Sequence, residues 1–352
     1  MPTHPFAAEA GLKFPNLNTA SPAPQGVSQN AKRNASPATV SSLPRRHFLK
    51  TATIAGTGML LPGAANQTAV FADMEKAAPL FIACNAYSVK NILSRDGIDY
   101  DKDLGKAFDV LKSVGIDGLE PTVGGPDDLD RYATPLKDRA MNMRTLYVGV
   151  NLHDADKAEA EVQRIAAIAE KAVSLGVETV VFNPAAKKGK SDEELIRQSE
   201  QVNTLGERLR KIGARLAFHY HTTELEFAAR EFYHLLLRTD PANMGLCFEM
   251  QWSYRASANS AVAVFDHLRL FRDRVSVLHL RQSRNGIWSE CFGDGDIDTP
   301  RIARELRQAG LKPQLVLEQA SENGTPRDLS GVEVLRRSVG YIAQTFAVPT
   351  KT

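Results

Sequence analysis

Two imidazoles two residues apart, followed by a carboxylate, make Phe218-His219-Tyr220-His221-Thr222-Thr223-Glu224 the most chemically loaded stretch of this 352-residue chain. The run Leu216 to Phe218 before it is of β type, and the period of two in a strand puts His219 and His221 on one face, aimed at one place. Two borderline ligands at a strand end suit a metal site or acid/base chemistry, although two ordinary polar residues leaving a strand would read the same. Glu249 after Leu246-Cys247-Phe248, His279 in Val277-Leu278-His279-Leu280 and Glu318 after Leu315-Val316-Leu317 share the setting. Singly, each carboxylate also reads as a surface turn and the histidine as a satisfied core residue; an unpaired carboxylate is costly to bury. Taken together, two imidazoles and two carboxylates with room for water or substrate suit a divalent ion such as Mn²⁺, Zn²⁺, Co²⁺ or Mg²⁺. Such an ion holds adjacent oxygens of a sugar and polarises a carbonyl, so that a carboxylate or imidazole can remove the neighbouring proton. That is the chemistry of isomerases and epimerases.

These groups meet only if the surrounding elements bring them together. Apolar β-type runs fall at 80–85, 118–121, 145–151, 179–183, 215–221, 244–249, 275–280 and 314–318, which makes eight. Between them lie helical patterns such as 103–114, 157–175, 193–212, 225–238, 261–271, 300–309 and 331–346. The second of these shows its apolar face in Val162, Ile165, Ala166, Ala169 and Val173. Several helices stop at a glycine, as at Gly115, Gly176, Gly213 and Gly310, where a left-handed cap is needed. Eight strands alternating with helices over about 280 residues predict an α/β fold of the (β/α)8 TIM barrel type, a single domain. A doubly wound sheet is the alternative, but no G-x-G-x-x-G follows the first strand and no P-loop is present. In a barrel His219, Glu249, His279 and Glu318 stand at the ends of strands five to eight, which converge on the face where such barrels carry their catalytic residues.

The N-terminal part has a different character. Residues 1–44 are rich in Ala, Ser, Pro and Asn without apolar period and are expected to be disordered. Pro44-Arg45-Arg46-His47-Phe48-Leu49-Lys50 resembles a twin-arginine export signal, and the apolar run 51–62 after it is too short to span a bilayer as a mature helix. Val70-Phe71-Ala72 offers a peptidase site, which gives a signal segment over 45–72 and a barrel domain over 73–352. Export to the periplasm through the twin-arginine machinery is the expectation, with the segment acting as an anchor if it is not cleaved. The cargo of that route crosses folded, so a metal can be loaded beforehand. Residues 1–72 hold six of the 43 Lys/Arg and one of the 41 Asp/Glu, which leaves 37 basic against 40 acidic groups, a balance of −3, for the remainder. No concentrated basic surface speaks for nucleic acid as a partner. Cys84, Cys247 and Cys291 lie far apart and read as small buried hydrophobes, with one pair free to oxidise after export if it comes close enough.

The motifs His219-Tyr220-His221-x-x-Glu224, Gly245-Leu246-Cys247-Phe248-Glu249-x-x-Trp252, Val277-Leu278-His279-Leu280-Arg281, Gly293-Asp294-Gly295-Asp296-Ile297-Asp298 and Leu317-Glu318 resemble the sugar phosphate isomerase/epimerase family of xylose isomerase-like TIM barrels, nearest the inosose dehydratase branch. The resemblance covers about residues 80–346. It implies His219, Glu249, His279 and Glu318 as ligands of a divalent metal, with His221 and Glu224 beside them facing substrate, and Glu318, His221 and Glu224 as acid/base candidates. Two departures stand out. Many members carry Glu where this chain has His219, paired with the equivalent of Glu318 to pass a proton between substrate faces. A metal-bound imidazole is a poor base, so elimination, which needs one base, competes with symmetric epimerisation. The family also favours Asp at 249, and the extra methylene of Glu moves an oxygen by about 1.5 Å.

Arg281 can bind a hydroxyl, carboxylate or phosphate or make a surface salt bridge, and Trp252 can face a sugar ring or pack a loop over strand six. Glu120, after strand two, is placed to orient a hydroxyl. Asp294 and Asp296 read as turn and cap residues. The expected function is a metal-dependent isomerase or epimerase acting on a small carbohydrate or cyclitol. The alternatives are a lyase or dehydratase cleaving a 3-keto-glycoside or inosose by elimination, an endonuclease IV-like barrel, and a non-catalytic sugar-binding barrel. A homo-oligomer is left open.

Overall fold

Eight parallel strands curl round one axis in the computed structural model, which describes residues 80–347. In chain order they are β1 (Ile82–Asn85), β2 (Gly118–Glu120), β3 (Thr145–Val150), β4 (Thr179–Pro184), β5 (Arg215–Phe218), β6 (Gly245–Glu249) and β7 (Val275–Leu280). A short antiparallel hairpin of β8 (Ser283–Arg284) and β9 (Ile287–Trp288) follows, and β10 (Gln314–Leu317) completes the barrel. Neighbours run β2-β1-β10-β7-β6-β5-β4-β3. The seam between β2 and β3 is joined by parallel bridges, Gly118 with Asn142 and Thr122 with Tyr147, and the Tyr147 N–H donates to Pro121 O at 2.8 Å. This is the single-domain (β/α)8 barrel that the alternation predicted. The expected extension over 1–44 and signal segment over 45–72 lie outside the described residues.

Helices cover the outer face of the sheet. In Ala158–Val173 the buried side is Val162, Ile165, Ile168, Ala169 and Ala172, a 3.6-residue stripe. Burial of each large aliphatic side chain there contributes about 1.5–3 kcal/mol. Inside the barrel a separate layer is formed by Ala83, Val181, Ala217, Cys247, Val277 and Val316, with Tyr147 and Phe81 against it. Because side chains alternate along a strand, the inward positions of the next layer up are two residues later: Asn85, Asn183, His219, Glu249, His279 and Glu318. The apolar layer therefore seals the floor beneath the polar one.

Two stretches differ from expectation. The helix expected at 225–238 starts earlier, over Thr222–Arg238, because His221 occupies its N-cap and Glu224 closes a capping box. It is also interrupted: Phe227, Ala228 and Ala229 have φ of +52°, +59° and +58°, a left-handed turn that costs about 1–2 kcal/mol per residue. Trp252, expected in a loop, sits on the helix Met250–Ala256, whose seven residues are too few to show a period.

Candidate active site

Each polar strand end is held by the ladder beside it. The His219 N–H donates to Phe182 O at 2.8 Å, which carries the inward register of Ala217 past the end of β5. Glu249 and His279 are paired across β6 and β7, and the Glu318 N–H donates to Leu280 O at 3.0 Å. As a result His219 Nδ1 and His279 Nδ1 both lie 2.7 Å from the same atom, Glu249 Oε1. Glu318 Oε2 is 3.5 Å from His279 Nδ1. Glu120 Oε1 lies 3.0 Å from His279 Nε2 and accepts from Asn85 Nδ2 at 2.7 Å. His221 Nε2 is 3.1 Å from His219 Nε2. His219, Glu120, Glu249, His279 and Glu318 are all buried; His221 is the half-buried member.

With both imidazoles neutral, the buried Glu120, Glu249 and Glu318 together with Arg281 carry a formal charge of −2. Unbalanced buried charge costs several kcal/mol per ion, so the set calls for cationic company. Burial opposes ionisation of Glu249, yet His219 and His279 outweigh it and hold the carboxyl well below the usual range. Burial likewise opposes a charged His279 ring, but the acidic groups Cys247, Glu120, Glu249 and Glu318 hold its proton well above the ordinary value. His219 Nδ1, both His279 nitrogens, Glu120 Oε2 and Glu318 Oε2 are buried without an aligned hydrogen-bond partner among the described residues. His219 Nδ1 and His279 Nδ1 close on Glu249 Oε1 as donors round one point would, and a divalent cation that displaced the His279 proton would bring the set of three carboxylates and Arg281 to zero charge. The donor set, imidazole with carboxylate, fits Mn²⁺, Zn²⁺, Co²⁺ or Mg²⁺.

Arg281 forms the wall beside this cluster. Its Nη2 lies 3.1 Å from Glu318 Oε2 and its Nε donates to Glu318 O at 2.8 Å, both buried. Burial would raise the Glu318 carboxyl, but Arg281 first and His279 next bring it below its ordinary value. The guanidinium carbon sits 4.3 Å from the Trp288 ring centroid and 5.5 Å from that of Trp252. Trp252 in turn meets His221 edge-on at 5.1 Å. Burial and the His219 ring push His221 down to about 3, so it is neutral at pH 7 and offers one donor and one acceptor.

Of the residues singled out from sequence, His219, Glu249, His279 and Glu318 come together, Glu120 and His221 touch them, and Arg281 and Trp252 line the edge. Glu224 is turned elsewhere: its Oε2 accepts the His221 N–H at 2.6 Å and its carboxyl faces the buried Glu231–Lys190 pair. Asp296 accepts from Ser283 Oγ and the N–H groups of Asn285 and Gly286, a turn role as expected. A Cβ on Gly295 would stand 2.2 Å from Ser283 O, which explains the glycine between those aspartates. Sequence reasoning passed over Asn85, Cys247 and Trp288. Counting back two from Glu249 and on two from Ala83 finds Cys247 and Asn85; nothing local marks Trp288.

Residues 108–343 match the family described as xylose isomerase-like TIM barrel. An inosose dehydratase of Bacillus licheniformis is 24% identical over 194 residues, 50% of this chain and 63% of that protein. The chain thus spans less than two thirds of the curated dehydratases it matches. Among solved structures it is similar to an L-ribulose 3-epimerase (TM-score 0.60, 16% identity, covering 76% of this chain and 95% of that one). It is also similar to 3-keto-D-glucoside 4-epimerase from E. coli (TM-score 0.56, 15% identity, covering 76% and 100%). Likeness at these identities speaks to the fold, which is the closed barrel already described. With the match extending over more than half of its length, the chain belongs to the xylose isomerase-like TIM barrel family.

Proposed function

We propose that this chain is a metal-dependent enzyme of the isomerase/epimerase type that removes a proton next to a carbonyl of a sugar, keto-sugar or cyclitol. The observation that carries the reading is the convergence of His219 Nδ1 and His279 Nδ1 on one oxygen of Glu249, in a buried set with three carboxylates and one guanidinium. His219, Glu249 and His279 hold the ion, with Glu318 at its edge. When bound, a divalent ion polarises the substrate carbonyl and acidifies the adjacent C–H. Glu318 is the base: Arg281 keeps its carboxylate ionised near neutrality and, through the bond to its backbone carbonyl, fixes where it stands. His221, neutral and nearest solvent, exchanges hydrogen bonds with a substrate hydroxyl, and Trp252 gives the sugar ring an apolar face. Glu120, whose Oε1 lies 3.0 Å from His279 Nε2, acts through that ring's charge and is a positioning residue.

A second reading, a lyase or dehydratase acting on a 3-keto-glycoside or inosose, is favoured by one feature. Glu120 is engaged by Asn85 and Glu224 by the His221 N–H, and an imidazole stands at 219, so Glu318 is the single carboxylate placed to move a proton. Loss of a group β to a carbonyl needs one base, whereas passing a proton between two faces needs two. The reading also includes export through the twin-arginine route, supported by Arg45-Arg46 and the apolar run after them.

Proton NMR in D₂O of sugars, keto-glycosides and inososes with the purified protein tests both readings. Deuterium incorporation next to the carbonyl with substrate retained marks isomerase or epimerase chemistry, and loss of a leaving group marks the lyase. Each activity should vanish in Glu318→Gln. Full activity in that variant would remove Glu318 as base, and exchange that proceeds in a protein binding no divalent ion would sink the mechanism.

A further inference from the structure

A third kind of donor lies beneath Glu249. Cys247 precedes it by two residues on β6, so its side chain points into the barrel one layer below. Its Sγ is 3.5 Å from Glu249 Oε1, and the residue is fully buried. Its layer is mostly alkyl around the axis, with Ala217, Val277 and Val316 among its members beside Tyr147, and a thiol can serve there as one more small hydrophobe. What sets Cys247 apart is its company. One ligand atom each from His219, Cys247, Glu249 and His279 forms a group in which no two are more than 4.8 Å apart. A tetrahedral ion with Zn–N and Zn–S bonds spaces its ligands by about 3.3–3.8 Å, so the 2.7 Å nitrogen–oxygen pairs need to open by about 0.6 Å and the most distant atoms to close by about 1 Å or less. The Glu318 carboxylate, by contrast, faces Arg281 Nη2 at 3.1 Å and stands 3.5 Å from His279 Nδ1.

We propose that Cys247 is the fourth donor of the ion site, making it a two-nitrogen, one-oxygen, one-sulfur set that takes a thiophilic divalent ion, Zn²⁺ or Co²⁺, in preference to Mg²⁺. This rests on the reading of the cluster as an ion site. On binding, the thiol releases its proton to solvent and its sulfur lone pair forms the bond to the ion, with no change of oxidation state. Thiolate is a soft ligand, whereas Mg²⁺ keeps oxygen donors and water. A substrate oxygen would then be taken up as a fifth donor, and the Glu318 carboxylate, outside the donor set, is kept for proton transfer.

A cobalt titration of the full chain, stripped beforehand with a chelator and followed by absorption, tests this. Thiolate bound to Co²⁺ gives an intense near-ultraviolet charge-transfer band that nitrogen and oxygen donors do not. The band is expected in the wild type and in the Cys84→Ser/Cys291→Ser double variant, which keeps Cys247 as the one thiol, and should be lost in Cys247→Ser. Should Cys247→Ser fail to fold, the double variant decides alone: a retained band supports the assignment and a lost band overturns it. Cobalt bound without the band in wild type overturns the role of Cys247 and leaves the ion site standing. Failure to bind Co²⁺, Zn²⁺ or Mg²⁺ overturns both.

Discussion

Glu224→Gln isolates a buried carboxyl whose cost can be worked out from its surroundings. Glu224 is 1% exposed and its Oε2 accepts the N–H of His221, the residue that opens the helix Thr222–Arg238. Burial, with Glu231 adding to it, pushes its carboxyl from the ordinary 4.5 up to about 7. Between those values the folded chain holds a proton that the unfolded chain has released. Stability therefore falls as pH rises through the window; nothing is lost below the unfolded value, and the loss is complete above the folded one. At 1.36 kcal/mol per pH unit the total is about 3 kcal/mol. Glutamine keeps an oxygen to accept from His221 and removes the titration. Urea unfolding of wild type and variant from pH 5 to pH 8 is the assay, since the other titrating groups cancel in the difference. The variant should gain about 2–3 kcal/mol on the wild type between pH 5 and pH 8, since part of the loss has already occurred at pH 5. A difference that stays constant with pH would refute the reasoning.

Other outcomes follow from the same geometry. Arg281→Gln leaves Glu318 buried without its cation, so the acid limb of the pH–rate profile should move to higher pH. Stability should drop by about 3–5 kcal/mol at neutral pH. Glu318, held low in the folded chain, contributes stability above the ordinary carboxyl value of 4.5 and loses it as pH falls through its own, so the deficit of this variant should shrink in acid. Tyr220 OH accepts the Glu249 N–H at 3.2 Å and pairs with Ser253 Oγ at 2.8 Å. Tyr220→Phe orphans that N–H, and a loss of about 1–3 kcal/mol in chemical denaturation is expected. Adding a divalent ion at a hundred times its Kd to chelator-treated protein should raise stability by about 2.7 kcal/mol, seen as a higher Tm.

The barrel was legible because parallel strands buried on both faces read as short apolar runs, and the helices between them keep a 3.6-residue stripe. The four strand-end groups were legible for a related reason: in a closed barrel, chain-distant strand ends share one mouth. What stayed hidden depended on contacts that no local pattern encodes. Glu224 sits three residues from His221 and reads as its partner in the pocket, but the N3 position of a helix turns a carboxylate back onto the N-cap. Arg281 reads equally as a surface cation until the β8–β9 hairpin brings Trp288 over it. Cys247 carried a readable signal in its spacing from Glu249 that its apolar character masked. The left-handed turn at Phe227, Ala228 and Ala229 has no glycine to announce it.

The account stands most directly on whether the cluster holds an ion. Elemental analysis of the folded chain, after equilibration with Mn²⁺, Zn²⁺, Co²⁺ and Mg²⁺ in turn and removal of free metal, measures this. A single divalent ion per chain is expected for at least one of the four, lost in Glu249→Ala and His279→Ala variants that keep their circular dichroism. A folded wild-type chain that retains none of the four, or variants that bind as well as wild type, would contradict it.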